Sequence, residues 1–165
     1  MKTRLFLVVL LLLVTSLTVC IAETELHFDK YYITFPAINL RLNPDTPGMV
    51  DTLYSGDEVE VLQVQDIWAE LKYIKEGQER IGWTWAGAVA QAVRIHLLED
   101  EFVFHKPIYD RTQLGLLSTW REPTDPDLLI LWEETYEGEK WYYIMSIGEA
   151  RCGYMRGSAV FEIVE

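Results

Sequence analysis

Few residues in this chain have the type and spacing that chemistry needs. Its three histidines, His27, His96 and His105, lie far apart. None falls in a metal spacing such as HExxH, and none stands beside a cysteine or serine motif that would make a nucleophile–base pair. Each reads as a solvated or half-buried strand residue. Cys152, between Arg151 and Gly153, has no histidine close in sequence and reads as a small buried hydrophobe. Asp125-Pro126-Asp127 lacks the glycine and the distal glutamate of a calcium loop. Glu133-Glu134 and Glu137-Gly138-Glu139 read as a solvated hairpin face. General acid–base work needs two carboxylates held in a cleft, and no spacing here points to one. The sequence therefore predicts no catalytic residue, no metal site and no cofactor. What remains is binding, and the aromatic side chains are its candidates.

Residues 1–22 read as an export signal, not as part of the fold. Lys2 and Arg4 form a positive head, Leu5 to Val19 is almost wholly apolar, and small Ala22 is the expected cleavage point. Two rival readings change the membrane assignment. One is an uncleaved anchor, for which the apolar run is slightly short of the ~18–20 residues that a spanning helix needs. The other is a lipoprotein, because Leu17-Thr18-Val19-Cys20 resembles the bacterial lipobox, with Val19 where that motif wants a small residue and Cys20 as the lipidation site. Cleavage after Ala22 leaves Cys152 as the one cysteine, so the mature fold rests on its core and not on disulfides. Half of all residues are apolar and 13% are aromatic, so that core is available. Removing Lys2 and Arg4 leaves 12 basic against 26 acidic residues, a net charge of −14. Such a surface repels nucleic acid and anionic lipid; it favours solubility or a cationic partner.

The elements that must position the aromatics read as strands throughout. Short alternating runs recur between Gly, Pro and Asp turns, and no long window repeats apolar residues at helical spacing. Strands are expected over Tyr31–Phe35, Ile38–Leu42, Met49–Leu53, Glu58–Val64, Ile67–Tyr73, Arg80–Trp85 and Ala90–Ile95, with a short helical turn over Ala86–Val89. In the run Glu58–Val64, Val59, Val61 and Val64 are expected inside. His96–Glu101 reads as a joint. Beyond it come Phe102–Phe104, Ile108–Tyr109, a less regular stretch over Thr112–Thr119, a turn at Glu122–Asp127, and strands over Leu128–Trp132, Trp141–Met145, Arg151–Arg156 and Phe161–Val164.

The two halves look alike. Residues 82–89 read GWTWAGAV and residues 153–160 read GYMRGSAV, and each box follows a Trp-led strand and a Gly-bearing hairpin. A period of about 70 residues exceeds the common solenoid repeats, so each unit should bury a small core of its own.

The first unit resembles the bacterial SH3-like (SH3b) domain family. The resemblance rests on Asn39-Leu40-Arg41, the Pro-rich loop Asn43–Gly48, the Leu-x-x-Gly-x-x-Val element from Leu53 to Val59, the strand led by Trp68, and Gly82-Trp83 before the helical turn. The second unit is similar only in its last two-thirds. It lacks the Asn-x-Arg element and has Pro126-Asp127 in place of the turn glycine. The resemblance implies an all-β chain of two small SH3-like barrels after the signal, spanning 23–95 and 96–165. Trp83 and Tyr154 are expected to plug these barrels.

SH3-like barrels hold extended peptides or cell-wall peptides across aromatic residues between loops. By that resemblance the ligand-binding candidates are Tyr54, Trp68 and Trp85 in the first unit, and Trp120, Trp132 and Trp141 in the second. Both units carry alanine, Ala88 and Ala159, where family members often place a tyrosine. The expected function is a non-enzymatic adaptor of the bacterial envelope, periplasmic or extracellular, that binds a peptide, peptidoglycan or a protein partner. Membrane contact is expected only through Cys20 or an uncleaved signal. The competing expectations are a structural or assembly protein without a ligand groove, and an inhibitor of a cationic partner.

Overall fold

The computed structural model describes residues 25–99, 101–104, 116–120, 127–148 and 150–164, of which 102 and 116–120 are described through their backbone alone. The expected export signal with Cys20, the strand expected at Ile108–Tyr109, most of the turn expected at Glu122–Asp127 and the side chain of Trp120 lie outside the described residues. Within them the chain is all-β: thirteen antiparallel strands, one short 3-10 turn and no α-helix.

The first half is built from β1 (Lys30–Ile33), β2 (Ala37–Arg41), β3 (Met49–Tyr54), β4 (Glu58–Gln65), β5 (Trp68–Lys75) and β6 (Gln78–Trp85), then the 3-10 turn Ala86–Ala88 and β7 (Val89–Leu97). The Pro-rich loop between β2 and β3 is held by Asn43, whose Oδ1 accepts from the backbone N–H of Thr46 at 2.8 Å and of Asp45 at 3.1 Å, an Asx turn. The second half consists of β8 (Glu101–Phe104), β9 (Leu116–Trp120), β10 (Asp127–Tyr136), β11 (Glu139–Ser146), β12 (Cys152–Arg156) and β13 (Phe161–Ile163). The stretch expected to be irregular before Thr119 therefore contains a strand.

Hydrogen bonds join twelve strands into one open path, β3-β2-β6-β5-β4-β1-β7-β10-β11-β12-β8-β9, with β13 added on β7. Strand β7 belongs to both halves. Its residues 89–92 pair with β1, 93–96 pair with β10, and 95–97 pair with β13. The expected boundary between residues 95 and 96 thus falls inside a strand, because β7 closes the first half and opens the second.

Each ladder of the first half has a counterpart in the second. β1–β4 corresponds to β7–β10, and β1–β7 to β7–β13. β2–β3 corresponds to β8–β9, and β2–β6 to β8–β12. β4–β5 corresponds to β10–β11, and β5–β6 to β11–β12. The correspondence extends to single residues: Leu71 pairs with Gly82, and Ile144 with Gly153. Both meanders also carry a one-residue bulge, at Leu62 in β4 and at Leu131 in β10. An extra residue in one strand bends it and re-aims the side chains beyond the bulge.

Each half has its own apolar cluster. Ile33, Leu40, Leu53, Val59, Leu71 and Tyr73 lie in the first; Ile95, Leu97, Leu128, Ile130, Ile144 and Met155 lie in the second. Burying one such aliphatic side chain fully contributes roughly 1.5–3 kcal/mol. A third cluster, Tyr32, Ala92, Leu129 and Met145, sits where the halves meet. There Gly56, at φ +87°, lies against Ile147: a Cβ on Gly56 would come within 2.6 Å of the Ile147 Cγ2.

Two expectations about side-chain direction are corrected. Trp83 is buried and Tyr154 half-buried, but neither belongs to the main apolar cluster of its half. Trp83 pairs with Glu70 and Tyr154 with Tyr143, on the face opposite Leu71 and Ile144. The glycines point inward instead, and Gly82 leaves room for Leu40, whose Cβ would stand 3.1 Å from an added Cβ. Val64 is 61% exposed. The bulge at Leu62 does put it opposite Ala69, but the last four residues of β4 are all exposed, beyond the reach of the core.

Candidate functional site

The five aromatic candidates whose side chains are described do not converge on one surface. Trp85 ends β6 and is 48% exposed. Its ring meets Phe35 edge-on at 5.4 Å and lies over Gly87, so tightly that a Cβ there would enter the ring. Glycine at position 87 is thus what lets the indole settle on the 3-10 turn. The turn itself is tied to the β4–β5 loop by the Ala86 N–H, which donates to the Ile67 carbonyl at 2.8 Å. Trp68 is the cross-strand partner of Trp85, and the Arg41 guanidinium covers its ring at 4.9 Å. Phe35, Trp85, Trp68 and Arg41 therefore form one continuous face, with exposed Ile67 at its edge. Trp68 is half-buried within it, so Trp85 and Phe35 supply the open aromatic surface.

Trp132 heads a different arrangement. It stacks on Tyr143 with centroids 3.9 Å apart and planes inclined by 18°, and Tyr143 meets Tyr154 edge-on at 4.9 Å. These three pair in register across β10, β11 and β12. The corresponding first-half residues are Gln63, Glu70 and Trp83, where the Gln63 amide donates to Glu70 at 2.7 Å. Where the first half sets a polar pair beside one tryptophan, the second sets three aromatic rings.

Two candidates lie elsewhere. Trp141 is fully buried, packed edge-on against Phe104 at 5.8 Å with Arg156 over its ring at 5.5 Å. It is a core residue and not a contact surface, because Phe104 covers it where Arg41 only partly covers Trp68. Tyr54 is exposed but stands apart from Trp85, in a groove beside β3 and β5. Neither of the two described concavities includes Trp85.

The polar groups make structural links. Asp51, buried on β3, accepts from the Tyr73 hydroxyl at 3.2 Å and from Arg80 at 3.0 Å, and it also pairs with Lys75. The Lys75 hydrogen bond leads in holding its carboxyl down to about 2, and burial pushes Tyr73 up to about 12. Sequence reading missed Asp51; its signal was an acid two positions before Leu53 on an inward-facing strand. Asp127 accepts from His96 Nδ1 at 3.0 Å and from Arg94. Burial pushes the Asp127 carboxyl up, but these hydrogen bonds outweigh it and leave the group below the usual carboxylate range. His27 lines a cavity of about 350 Å3 with Asp29, Lys30 and Arg94; His105 lies outside the described residues.

Burial raises the Cys152 thiol, which keeps it protonated near neutrality and a poor nucleophile. Among the described residues no three His, Cys, Asp or Glu side chains are placed to hold a metal ion. No helix among them is long and apolar enough to cross a membrane.

No protein-family model matches the chain, and no curated protein matches it. Among solved structures it is similar to NlpC1 from Trichomonas vaginalis, at TM-score 0.32 and 15% identity over 88% of this chain and 50% of that one. It is also similar to NlpC2 from the same organism, at TM-score 0.32 and 17% identity over 83% of this chain and 49% of that one. The chain spans about half the length of those two proteins, and a likeness of this depth carries no argument about activity.

Proposed function

We propose that this chain is a non-enzymatic envelope adaptor: two SH3-like barrels sharing β7, exported by the N-terminal signal, and binding a peptide, a peptidoglycan stem or a protein partner. The observation that carries the binding role is Trp85, held half-exposed between Phe35 and Gly87 and backed by Trp68 under Arg41. A rigid, amphipathic ring fixed at a loop junction contacts a ligand at low entropic cost. The ladder-by-ladder correspondence of the halves supports the two-barrel reading.

The test is capture of the mature chain by isolated bacterial cell wall and by envelope protein extract, with Trp85→Ala and Phe35→Ala as variants. Binding that survives in neither variant, while both keep their thermal transition, supports the reading. Binding that is unchanged in both, or no capture by either fraction, removes it. A structural role draws on a different observation, the packing of Gly56 on Ile147 where the halves meet. It predicts that the wild-type chain is captured by neither fraction.

A further inference from the structure

A second surface lies away from the Trp85 face. Strands β3 and β4 diverge from the turn at Ser55-Gly56, and β5 and β6 approach from the other side. A groove of about 810 Å3 opens between them. Its lining includes buried Leu53, Val59 and Tyr73. Tyr54, 56% exposed, and Ile74, 73% exposed, contribute large apolar groups to the same lining. The rest is chiefly carboxylates: Asp57, Glu58, Glu60, Glu76 and Glu79.

Only two cations share that lining, Lys72 and Lys75. Lys75 is committed to Asp51 beneath the groove, and Lys72 to Glu60. Glu58 and Glu76 are met from outside the lining, by Lys30 at 3.2 Å and Arg80 at 3.5 Å. These are exposed pairs that a competing cation can exchange into at little cost. The groove itself holds five acids against two bases, within a chain of net charge −12.

The outer edge of β3 borders this groove, and at Thr52 and Tyr54 it is closed to strand addition. The Thr52 N–H donates to Asp51 and the Tyr54 N–H to Asp57, each at 2.8 Å, while the Thr52 carbonyl accepts from Lys75 at 3.1 Å. With the Thr52 and Tyr54 groups taken by side chains and by the Asp57 N–H, this stretch of the edge offers no ladder to a partner. An occupant must engage through its own side chains.

We infer that this groove is the docking site for an extended basic segment of a partner protein, with Lys or Arg side chains on the carboxylates and an apolar side chain between Tyr54 and Ile74. Charge selects the partner and speeds its arrival, while the apolar contact fixes register. The groove is independent of the Trp85 face, so either assignment can fail without the other.

The experiment uses the full mature chain, isotopically labelled, titrated with a short capped peptide of alternating lysine and valine. A peptide of alternating glutamate and valine and a peptide of lysine alone are the comparators. Amide shift changes are expected over residues 52–60 and 72–79, with affinity falling about tenfold or more at high salt and in Glu79→Gln/Glu60→Gln. Ile74→Ser should weaken the lysine–valine peptide and leave all-lysine unchanged. Both sites are exposed, so the variants are expected to fold, and an unchanged thermal transition checks it. Trp85→Ala should bind the lysine–valine peptide as wild type does. The inference is overturned by the absence of shifts, by shifts centred on Phe35 and Trp85, or by equal binding of the glutamate peptide. It is equally overturned if Ile74→Ser changes nothing, since the acidic surface is then only a diffuse counter-ion.

Discussion

The guanidinium of Arg41 lies 4.9 Å from the centroid of the Trp68 ring. Arg41 sits on β2 opposite Trp83, and the position that corresponds to it in the second half is Phe104, opposite Tyr154. Phe104 in turn packs edge-on against Trp141, the counterpart of Trp68. One contact between a hairpin strand and a Trp-led strand is thus made twice, by a cation over a ring in one half and by ring against ring in the other. Phe104 thus stands in the second half where Arg41 of the Asn-x-Arg element stands in the first.

Arg41→Ala should therefore lower the unfolding free energy by about 1 kcal/mol, the range for a cation over a partly exposed ring. Arg41→Lys should lose less. Urea unfolding of the chain from residue 23 onward checks this. An Arg41→Ala chain as stable as wild type would show that the stacked pair contributes nothing.

Asp51 carries the clearest pH dependence. Its folded carboxyl titrates at about 2 against an ordinary 3.8. A depressed folded value means that its contribution is complete above the unfolded value and is lost as pH falls from about 4 through about 2. At the alkaline end Tyr73 and Tyr143 are both pushed up to about 12 by burial. Raised values act in the opposite sense: stability is complete below pH 10 and declines as pH climbs toward 12. Asp51→Ala should cost about 2 kcal/mol at neutral pH, a buried-pair loss reduced because Lys75 and Arg80 reach solvent. It should also flatten the acid limb of a stability–pH profile. An acid limb that persists unchanged in Asp51→Ala would assign that limb to other carboxylates.

The strands were legible because each half-buried run carries its own period of two, as in Trp68–Lys75, where Ala69, Leu71 and Tyr73 alternate inward. The likeness of the two halves was legible from Gly82 and Gly153, which pair with Leu71 and Ile144 at the same register. What could not be read depends on pairing between strands. The bulges at Leu62 and Leu131 exist only relative to β5 and β11. Trp83 looked like a core plug because it is large and comes directly after glycine; its face is set by Glu70 across the ladder. The fates of Trp68 and Trp141 diverge because the residues that cover them, Arg41 and Phe104, lie 27 and 37 positions earlier in the chain. The sharing of β7 was hidden because no single strand shows how many neighbours it has.

Burial also separates Trp141 from Trp85, two tryptophans that the sequence offers alike as binding candidates. Trp141→Ala should cost about 3–5 kcal/mol, because it empties a fully buried aromatic site. Trp85→Ala removes a half-exposed ring and should cost about 1 kcal/mol or less, while abolishing the capture that the proposed binding role requires. Thermal unfolding of the two variants, beside the capture assay, checks the contrast. Comparable destabilisation by both would mean that Trp85 belongs to the core and not to a binding face.

The last prediction concerns how firmly the halves are joined. Gly56 holds a positive φ and abuts Ile147, so any side chain at position 56 meets both backbone strain and a clash. Gly56→Ala should destabilise the chain by about 2–4 kcal/mol. The steric part alone can be relieved from the other side, so Ile147→Ala in the same chain should recover about 1 kcal/mol relative to the sum of the single effects. A double-mutant cycle by urea unfolding measures this coupling, and a single transition in every variant is expected because β7 runs through both halves. Strict additivity, or two separated transitions in wild type, would mean that the halves unfold as independent bodies and that the Gly56–Ile147 contact does not hold them together.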